Sequence, residues 1–368
     1  LVIDCKAKPE SGKEELPDIF SRPKTALMAK ITDLDDHIGR RLRLRDLRVF
    51  FTVVQLGSLA KAAAQLRVSQ PAVSQVIAEL ERCLGARLFD RSSRGVEPTI
   101  YGRALLARGR AAFDELRQGI RDIEFLADPT SGEVRIGSAG PITDTLLPAV
   151  IQRVRQQYPR IVIHVDDVPL PPPALDLSGL RDRRYDLVLT RWTPALGYDP
   201  ASDLKVQTLF EDRMVVAAGI HNRLARRRRI DLAELVEEPW ILAPPSSSYY
   251  LLVAEAFRSR NLEPPKASLI TFSVPLRTFM LANGPYVTAF ANSVVTFNPN
   301  QQSLKVLPVD FSTRPRRVVV LTLKGRTLSP VVERFIECAR EVAKLVVADP
   351  HPSNLRATPT HNPISRKR

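Results

Sequence analysis

Apolar and polar positions alternate most clearly between Ser58 and Leu84. Leu59, Ala62, Ala63 and Leu66 recur at i, i+3, i+4 and i+7, one face of a short helix. After a tight turn, Val73, Val76, Ile77, Leu80 and Leu84 share one face of a second helix. Its opposite face carries Gln70, Ser74, Gln75 and Glu79. Ser58 and Ser69 each supply the side-chain oxygen of an N-cap, and Pro71 falls in a first turn, where a missing N–H costs little. Leu47, Phe50, Phe51 and Val54 predict an earlier helix over 44–57 that packs beneath these two. Beyond Leu84, the run 84–99 reads as two short strands around a Gly95 turn carrying Arg91 and Arg94, a basic wing.

Two short helices about a tight turn are the layout of a helix-turn-helix, whose second helix enters the DNA major groove. A plain helical hairpin would show the same periodicity, and the flanks favour the DNA reading. Residues 47–102 resemble the DNA-binding domain of the LysR-type transcriptional regulators. The resemblance rests on Phe50, Phe51, Gly57-Ser58, Ala62-Ala63, Ser69-Gln70-Pro71-Ala72-Val73-Ser74, Leu80-Glu81, Leu84-Gly85, Leu88-Phe89-Asp90-Arg91, Thr99 and Gly102. Gln75 departs from it, because the family often carries Arg there; the contact made from that position is left open. The expected DNA-binding residues are Ser69, Gln70, Pro71, Ser74, Gln75, Arg91 and Arg94.

The next pattern runs from Tyr101 to Ala127. Gly102, Leu106, Gly109, Phe113, Leu116, Ile120, Ile123 and Ala127 alternate spacings of four and three, a heptad seam. A single helix packed on its own domain would also serve, but the charged flanks favour helix–helix association. The resemblance implies the family's linker helix, dimerising through Leu106, Phe113, Leu116, Ile120 and Ile123. Asp128-Pro129-Thr130-Ser131-Gly132 ends it as a hinge-like break. The run Leu126–Val134 resembles the subgroup that regulates sugar-binding-protein or aromatic-catabolism genes.

From Glu133 strands alternate with helices, as in βαβ units with a largely parallel sheet. The order resembles the family's effector domain, two α/β lobes similar to periplasmic binding proteins, with crossovers near Leu209–Asp212 and Val306–Asp310. The fold class is therefore α/β with an N-terminal all-α winged helix-turn-helix, a long linker helix and a C-terminal two-lobed effector domain. The domains fall at 1–40 (a disordered extension), 41–100, 101–130, 131–348 and 349–368 (a disordered tail). Lobe I takes 131–210 and 308–348, and lobe II takes 211–307. Pro169-Leu170-Pro171-Pro172-Pro173 predicts a stiff, extended loop. Met28 offers a start downstream of Leu1; a flexible arm before it is the other reading.

In open α/β sheets ligands bind outside the carboxyl ends of strands, where helix N-termini supply donors. Those junctions place Ser138, Ala139, Thr190, Arg191, Ser246, Ser247 and Ser248 in an effector cleft. Arg191 and the hydroxyls predict an anionic or sugar-derived metabolite.

The formal net charge of +14 and pI near 10.0 fit a polyanionic partner. Arg40, Arg41, Arg43, Arg45 and Arg48 precede the helix-turn-helix, and Arg87, Arg91 and Arg94 follow it. Cys5, Cys83 and Cys338 are isolated, no histidine cluster has ligand spacing, and no nucleophile motif appears. No catalytic residue, metal or cofactor is expected, and an enzyme is disfavoured. No apolar run spans a membrane and no signal peptide is evident, so a cytoplasmic protein is expected. The expected partners are double-stranded promoter DNA with an inverted repeat, a small-molecule effector, further copies of the chain (a dimer, then a tetramer) and RNA polymerase. A ligand-independent, architectural DNA-binding protein is the alternative.

Overall fold

The computed structural model describes residues 42–92, 95–138, 140–168, 176–192 and 203–348. The expectations for 1–40, for Pro169–Pro173 and for 349–368 fall outside the described residues. The chain divides into two compact units, 1–109 and 110–368.

In the first unit, helices α1 (Leu44–Leu56), α2 (Leu59–Leu66) and α3 (Gln70–Leu84) precede strands β1 (Phe89–Ser92) and β2 (Gly95–Pro98) and the start of α4 (Ile100–Ala127). Local chemistry sets each boundary. Ser58 Oγ accepts from the Lys61 N–H and Ser69 Oγ from the Ala72 N–H. Gly57 and Gly85 end α1 and α3 at φ 60° and 65°, a left-handed turn that costs a residue with a Cβ. Phe50, Val53, Ala62, Val73, Ile77, Leu80 and Leu88 are buried together, with the Phe50 and Phe89 rings 5.2 Å apart. Glu81 holds the wing to α3 by accepting from the Leu88 N–H at 2.7 Å and the Phe89 N–H at 3.3 Å. Gly102 lets α4 cross this unit closely, since a Cβ there would meet the Leu88 carbonyl oxygen at 2.2 Å.

The second unit holds two five-stranded mixed sheets. In lobe I, β3 (Ser131–Ser138), β4 (Arg160–Asp167), β5 (Leu187–Trp192), β6 (Leu204–Asp212) and β12 (Arg316–Leu323) lie in the order β4-β3-β5-β12-β6. β12 runs antiparallel to both neighbours. Helices α5 (Gly140–Thr143), α6 (Leu146–Gln157), α7 (Ser178–Arg181) and α11 (Pro330–Ala348) belong to this lobe, and Phe335 and Val150 lie in the core between sheet and helices. In lobe II, β7 (Met214–Gly219), β8 (Trp240–Leu242), β9 (Ala267–Ile270), β10 (Val287–Ala291) and β11 (Leu304–Val306) lie in the order β11-β7-β10-β8-β9. Helices α8 (Ser248–Arg258), α9 (Val274–Asn283) and α10 (Asn292–Thr296) accompany them around Trp240, Phe257 and Phe290. The chain passes from lobe I to lobe II at Arg213, between β6 and β7, and returns over residues 307–315. β6 begins well before the crossover expected near Leu209–Asp212, as the edge strand paired along all of β12.

The predicted hinge after α4 is tied down. Asp128 Oδ1 accepts from the Thr130 N–H, the Thr130 hydroxyl and Arg160 Nη2, the last at 2.8 Å. These bonds hold the Asp128 carboxyl below the usual carboxylate range.

Candidate DNA-binding face and interlobe cleft

The outer face of α3 presents Gln70, Pro71 and Gln75 to solvent, with Ser74 half-buried beside them. Ser69 is exposed but serves as the helix cap. Arg91 lies on β1, and Arg94 lies outside the described residues. Beside α3, an open groove of about 890 Å³ is lined by Arg43, Arg45, Arg48 and Arg67 together with Gln75 and Glu79. Arg67 is a residue that periodicity does not single out. It occupies the turn between α2 and α3 at φ 56° and lines the same groove as Gln75. Guanidinium groups flanking exposed glutamines are equipped to pair phosphates while the amides read base edges.

The heptad seam divides into two parts. Leu106 packs on the core of the first unit, and a Cβ at Gly109 would meet the Phe51 ring at 2.8 Å. Farther along, Phe113 is half-buried, whereas Leu116, Ile120 and Ile123 are 50%, 58% and 69% exposed. The first stretch thus packs within its own unit, and the second leaves an apolar stripe uncovered.

The opposite side of α4 is fastened to lobe I by charge. Asp114 is buried and accepts from Arg326 Nε at 2.7 Å, Arg326 Nη2 at 3.1 Å and Arg183 Nη1 at 2.7 Å. Arg326 Nη2 also donates to Asp186 at 2.8 Å, and Arg326 Nη1 donates to the Tyr185 carbonyl oxygen. Arg121 reaches Asp186 at 3.2 Å. Residues 110–127 are therefore part of the effector unit's fold.

The strand ends expected to form the cleft do not all converge. Arg191 is not a free cation. Its Nη2 donates to Asp212 at 2.9 Å and to Ser293 Oγ at 2.7 Å, and its Nη1 lies 3.4 Å from the Tyr249 hydroxyl. Asp212 also accepts from the Ser293 N–H, so these groups clasp lobe I to lobe II at the crossover. Burial opposes the charge on Arg191, but the Tyr249 oxygen and the Asp212 carboxylate outweigh it and hold the guanidinium above its ordinary range. Thr190 is buried within β5; neighbours on a strand face opposite sides, so Thr190 and Arg191 cannot share one wall. Ser247 is a buried helix cap, its Oγ accepting from the Tyr250 N–H at 3.1 Å. Ser246 is exposed, and the Ser248 carbonyl oxygen accepts from Arg316 Nη2 at 2.7 Å. Ser138 is fully buried at the end of β3, and its hydroxyl has no partner among the described residues. Ala139 lies outside the described residues.

A small cavity of about 20 Å³ does open between the lobes. Pro141 closes it from lobe I; Tyr249, Phe272, Arg277 and Phe290 line it from lobe II. Arg277 interrupts the apolar helix α9, and no motif or spacing singles it out. Among the described residues no cluster of histidine, cysteine or acidic groups is arranged to hold a metal ion, and no helix is long and apolar enough to cross a membrane. Cys338 is buried in lobe I, and burial pushes its thiol up.

A winged helix-turn-helix joined to a two-lobed α/β domain defines a class of DNA-binding regulators. Residues 44–103 match the bacterial regulatory helix-turn-helix protein model of the lysR family, and residues 127–344 match the LysR substrate binding domain. The chain belongs to the LysR family and is a DNA-binding transcriptional regulator of that type. It is 30% identical over 298 residues to the HTH-type transcriptional regulator GbpR of Azospirillum brasilense, covering 79% of this chain and 83% of the relative. It is 26% identical over 298 residues to the HTH-type transcriptional regulator GalR of Pseudomonas putida, covering 81% and 73%. A full-length OxyR from Pseudomonas aeruginosa shares the fold at a TM-score of 0.53 and 21% identity, over 82% of this chain and 95% of that one.

Proposed function

We propose that this regulator binds an inverted-repeat promoter site as a dimer or tetramer in the cytoplasm, acts on RNA polymerase there, and responds to a small molecule held between its lobes. The observation that carries the DNA reading is the exposed Gln70–Gln75 face of α3 beside a groove lined by four arginines. Gln70, Ser74 and Gln75 read bases, with Pro71 packed against the groove wall and Ser69 capping the helix. Arg91 and Arg94 of the wing grip phosphates together with Arg43, Arg45, Arg48 and Arg67. The uncovered stripe Leu116-Ile120-Ile123 supports pairing of two linker helices, because charge-flanked apolar residues on one helix face seek a partner. Phe113 extends that seam, whereas Leu106 packs on the core of the first unit.

For the effector, the unpartnered Ser138 hydroxyl and the cavity at Pro141 and Tyr249 support a site between the lobes. A ligand there acts only by preferring one lobe arrangement over the other. The test is selection of bound sequences from a random DNA pool with the full chain, followed by footprinting on the selected site with and without a metabolite library. An inverted repeat whose footprint shifts with one metabolite supports the reading. Binding without sequence preference or metabolite response supports the architectural alternative instead.

A further inference from the structure

Five of the seven residues from Arg223 to Arg229 are arginine, and the run lies in lobe II between β7 and β8. It is pinned at both ends. Leu224 and Ile230 are 1% and 3% exposed, and the Ile230 N–H donates to the Pro308 carbonyl oxygen at 3.1 Å. Between them the backbone at Arg227 is extended, at φ −76° and ψ 144°. The arginines therefore stand on a fixed part of the lobe surface. Two of the five are compensated. Arg223 pairs with Glu238, and Arg227 meets Glu234 through two bonds of 3.0 and 3.3 Å. Asp231, the next acid along, is engaged as a helix cap and accepts from the Ala233 N–H at 2.9 Å. Arg226, Arg228 and Arg229 are exposed, and their guanidinium groups have no ion-pair or hydrogen-bond partner among the described residues.

Three like charges within four positions repel one another, and an anionic partner relieves that repulsion. The planar fork of arginine suits phosphate oxygens, which it can hold two at a time. An acidic protein surface would also carry the charge, but protein interfaces are built around apolar or aromatic anchors. None stands here: Leu224 is buried, Ala225 is half-buried, and no large apolar side chain is exposed from His221 to Ile230. A bare row of cations fits a backbone polyanion, whose attraction needs only charge. We infer that Arg226, Arg228 and Arg229 hold the phosphate backbone of duplex DNA flanking the site bound by the helix-turn-helix. Phosphates are alike in every base pair, so this contact adds affinity and carries no sequence preference. It gives the effector unit its own part in DNA binding, apart from the base reading by α3 proposed above.

The experiment measures binding of the full chain by fluorescence anisotropy across a salt series. Two duplexes are compared, the selected site at its minimal length and the same site with random duplex added on both sides. The natural protein should bind the extended duplex about tenfold or more tightly at low salt. Its salt slope should be steeper there by about 2–3 per protomer, three phosphates at about 0.9 each. Combining Arg226→Gln, Arg228→Gln and Arg229→Gln should abolish both gains and leave binding to the minimal duplex unchanged. The corresponding triple lysine variant should keep most of the gain, because charge at those positions is what acts. Without DNA, the glutamine variant should melt no lower than the natural protein, since three exposed, mutually repelling charges are removed. The inference is overturned if added duplex brings no gain, if the glutamine variant keeps the gain, or if that variant melts markedly lower. Equal weakening on both duplexes overturns it as well, since the effect would then lie within the site. A glutamine variant that binds both duplexes normally but loses transcription with purified RNA polymerase would overturn it in favour of an acidic protein surface. The same comparison on random-sequence duplexes of increasing length needs no preferred site, so its failure is distinct from a failure of base reading by α3.

Discussion

Removing Arg326 should release the second half of α4 from lobe I. The side chain is 1% exposed and makes four hydrogen bonds, two to Asp114, one to Asp186 and one to the Tyr185 carbonyl oxygen. In Arg326→Met the aliphatic volume is largely kept and the charge is lost. Deleting one partner of a buried ion pair typically costs about 3–5 kcal/mol, because the other charge stays buried without compensation. Here neither carboxylate is wholly abandoned. Asp114 retains Arg183, and Asp186 retains Arg121 and the Arg135 N–H. Both remaining arginines are somewhat more exposed, at 14% and 13%, so water offsets part of the loss. The low end of that range, about 3 kcal/mol, is therefore expected. Hydrogen exchange reads where the loss falls. Amides of residues 110–127 should lose protection in Arg326→Met, while those of β3 and β5 keep most of theirs. Asp114→Leu combined with Arg326→Met should cost less than the sum of the two single changes, since neither charge is then left alone. Unchanged exchange in 110–127, or a loss below about 1 kcal/mol, the worth of an exposed pair, would show that this network does not hold the helix. The outcome matters for assembly, because the same helix segment carries Leu116, Ile120 and Ile123.

On DNA, Gln70→Ala should cost about 1–3 kcal/mol at the selected site and relax preference at one base pair. Arg67→Ala should weaken all sequences alike and flatten the salt dependence of binding; fluorescence anisotropy across a salt series separates the two, and unchanged site preference in Gln70→Ala refutes the α3 assignment. Phe113→Asp with Ile120→Asp places charges in the seam and should yield smaller species in sedimentation, whereas an unaltered assembly would remove the seam as the dimer contact. Burial and the nearby Asp167 hold the Asp144 carboxyl above its ordinary value. The folded state therefore binds that proton more tightly than the unfolded chain, and this group's contribution to stability falls as pH rises through its folded pKa. Asp144→Asn should flatten the pH dependence of melting above pH 4, and an identical profile to the natural protein argues against that origin.

Short-range chemistry made the first unit legible from the sequence. Serine caps, a proline in a first turn and apolar residues every third or fourth position act within one or two helical turns, and α2 and α3 start and stop where those signals fall. The alternation of strands and helices likewise marked the second unit as α/β, because period-two and period-3.6 patterns are local properties. The heptad seam was legible as a pattern but not as a surface. Its first half is absorbed by Phe51 and the Leu88 backbone, neither adjacent in sequence, and its second half remains exposed. Charge was the least legible. Arg191 follows a strand and reads as a ligand-binding cation, yet Asp212 of lobe I neutralises it and Ser293 of lobe II accepts a hydrogen bond from it; Arg277 reads as an interruption in an apolar helix, yet among the described residues no acid is folded against it. Arg326 meets Asp114 from 212 positions away. Whether a cation is paired depends on which acids the completed topology brings within about 4 Å, where a charge interaction gains or loses kilocalories. Periodicity holds no record of that distance, so the sequence determined the elements and the family, and only tertiary packing decided which arginines clasp the lobes and which dock a helix.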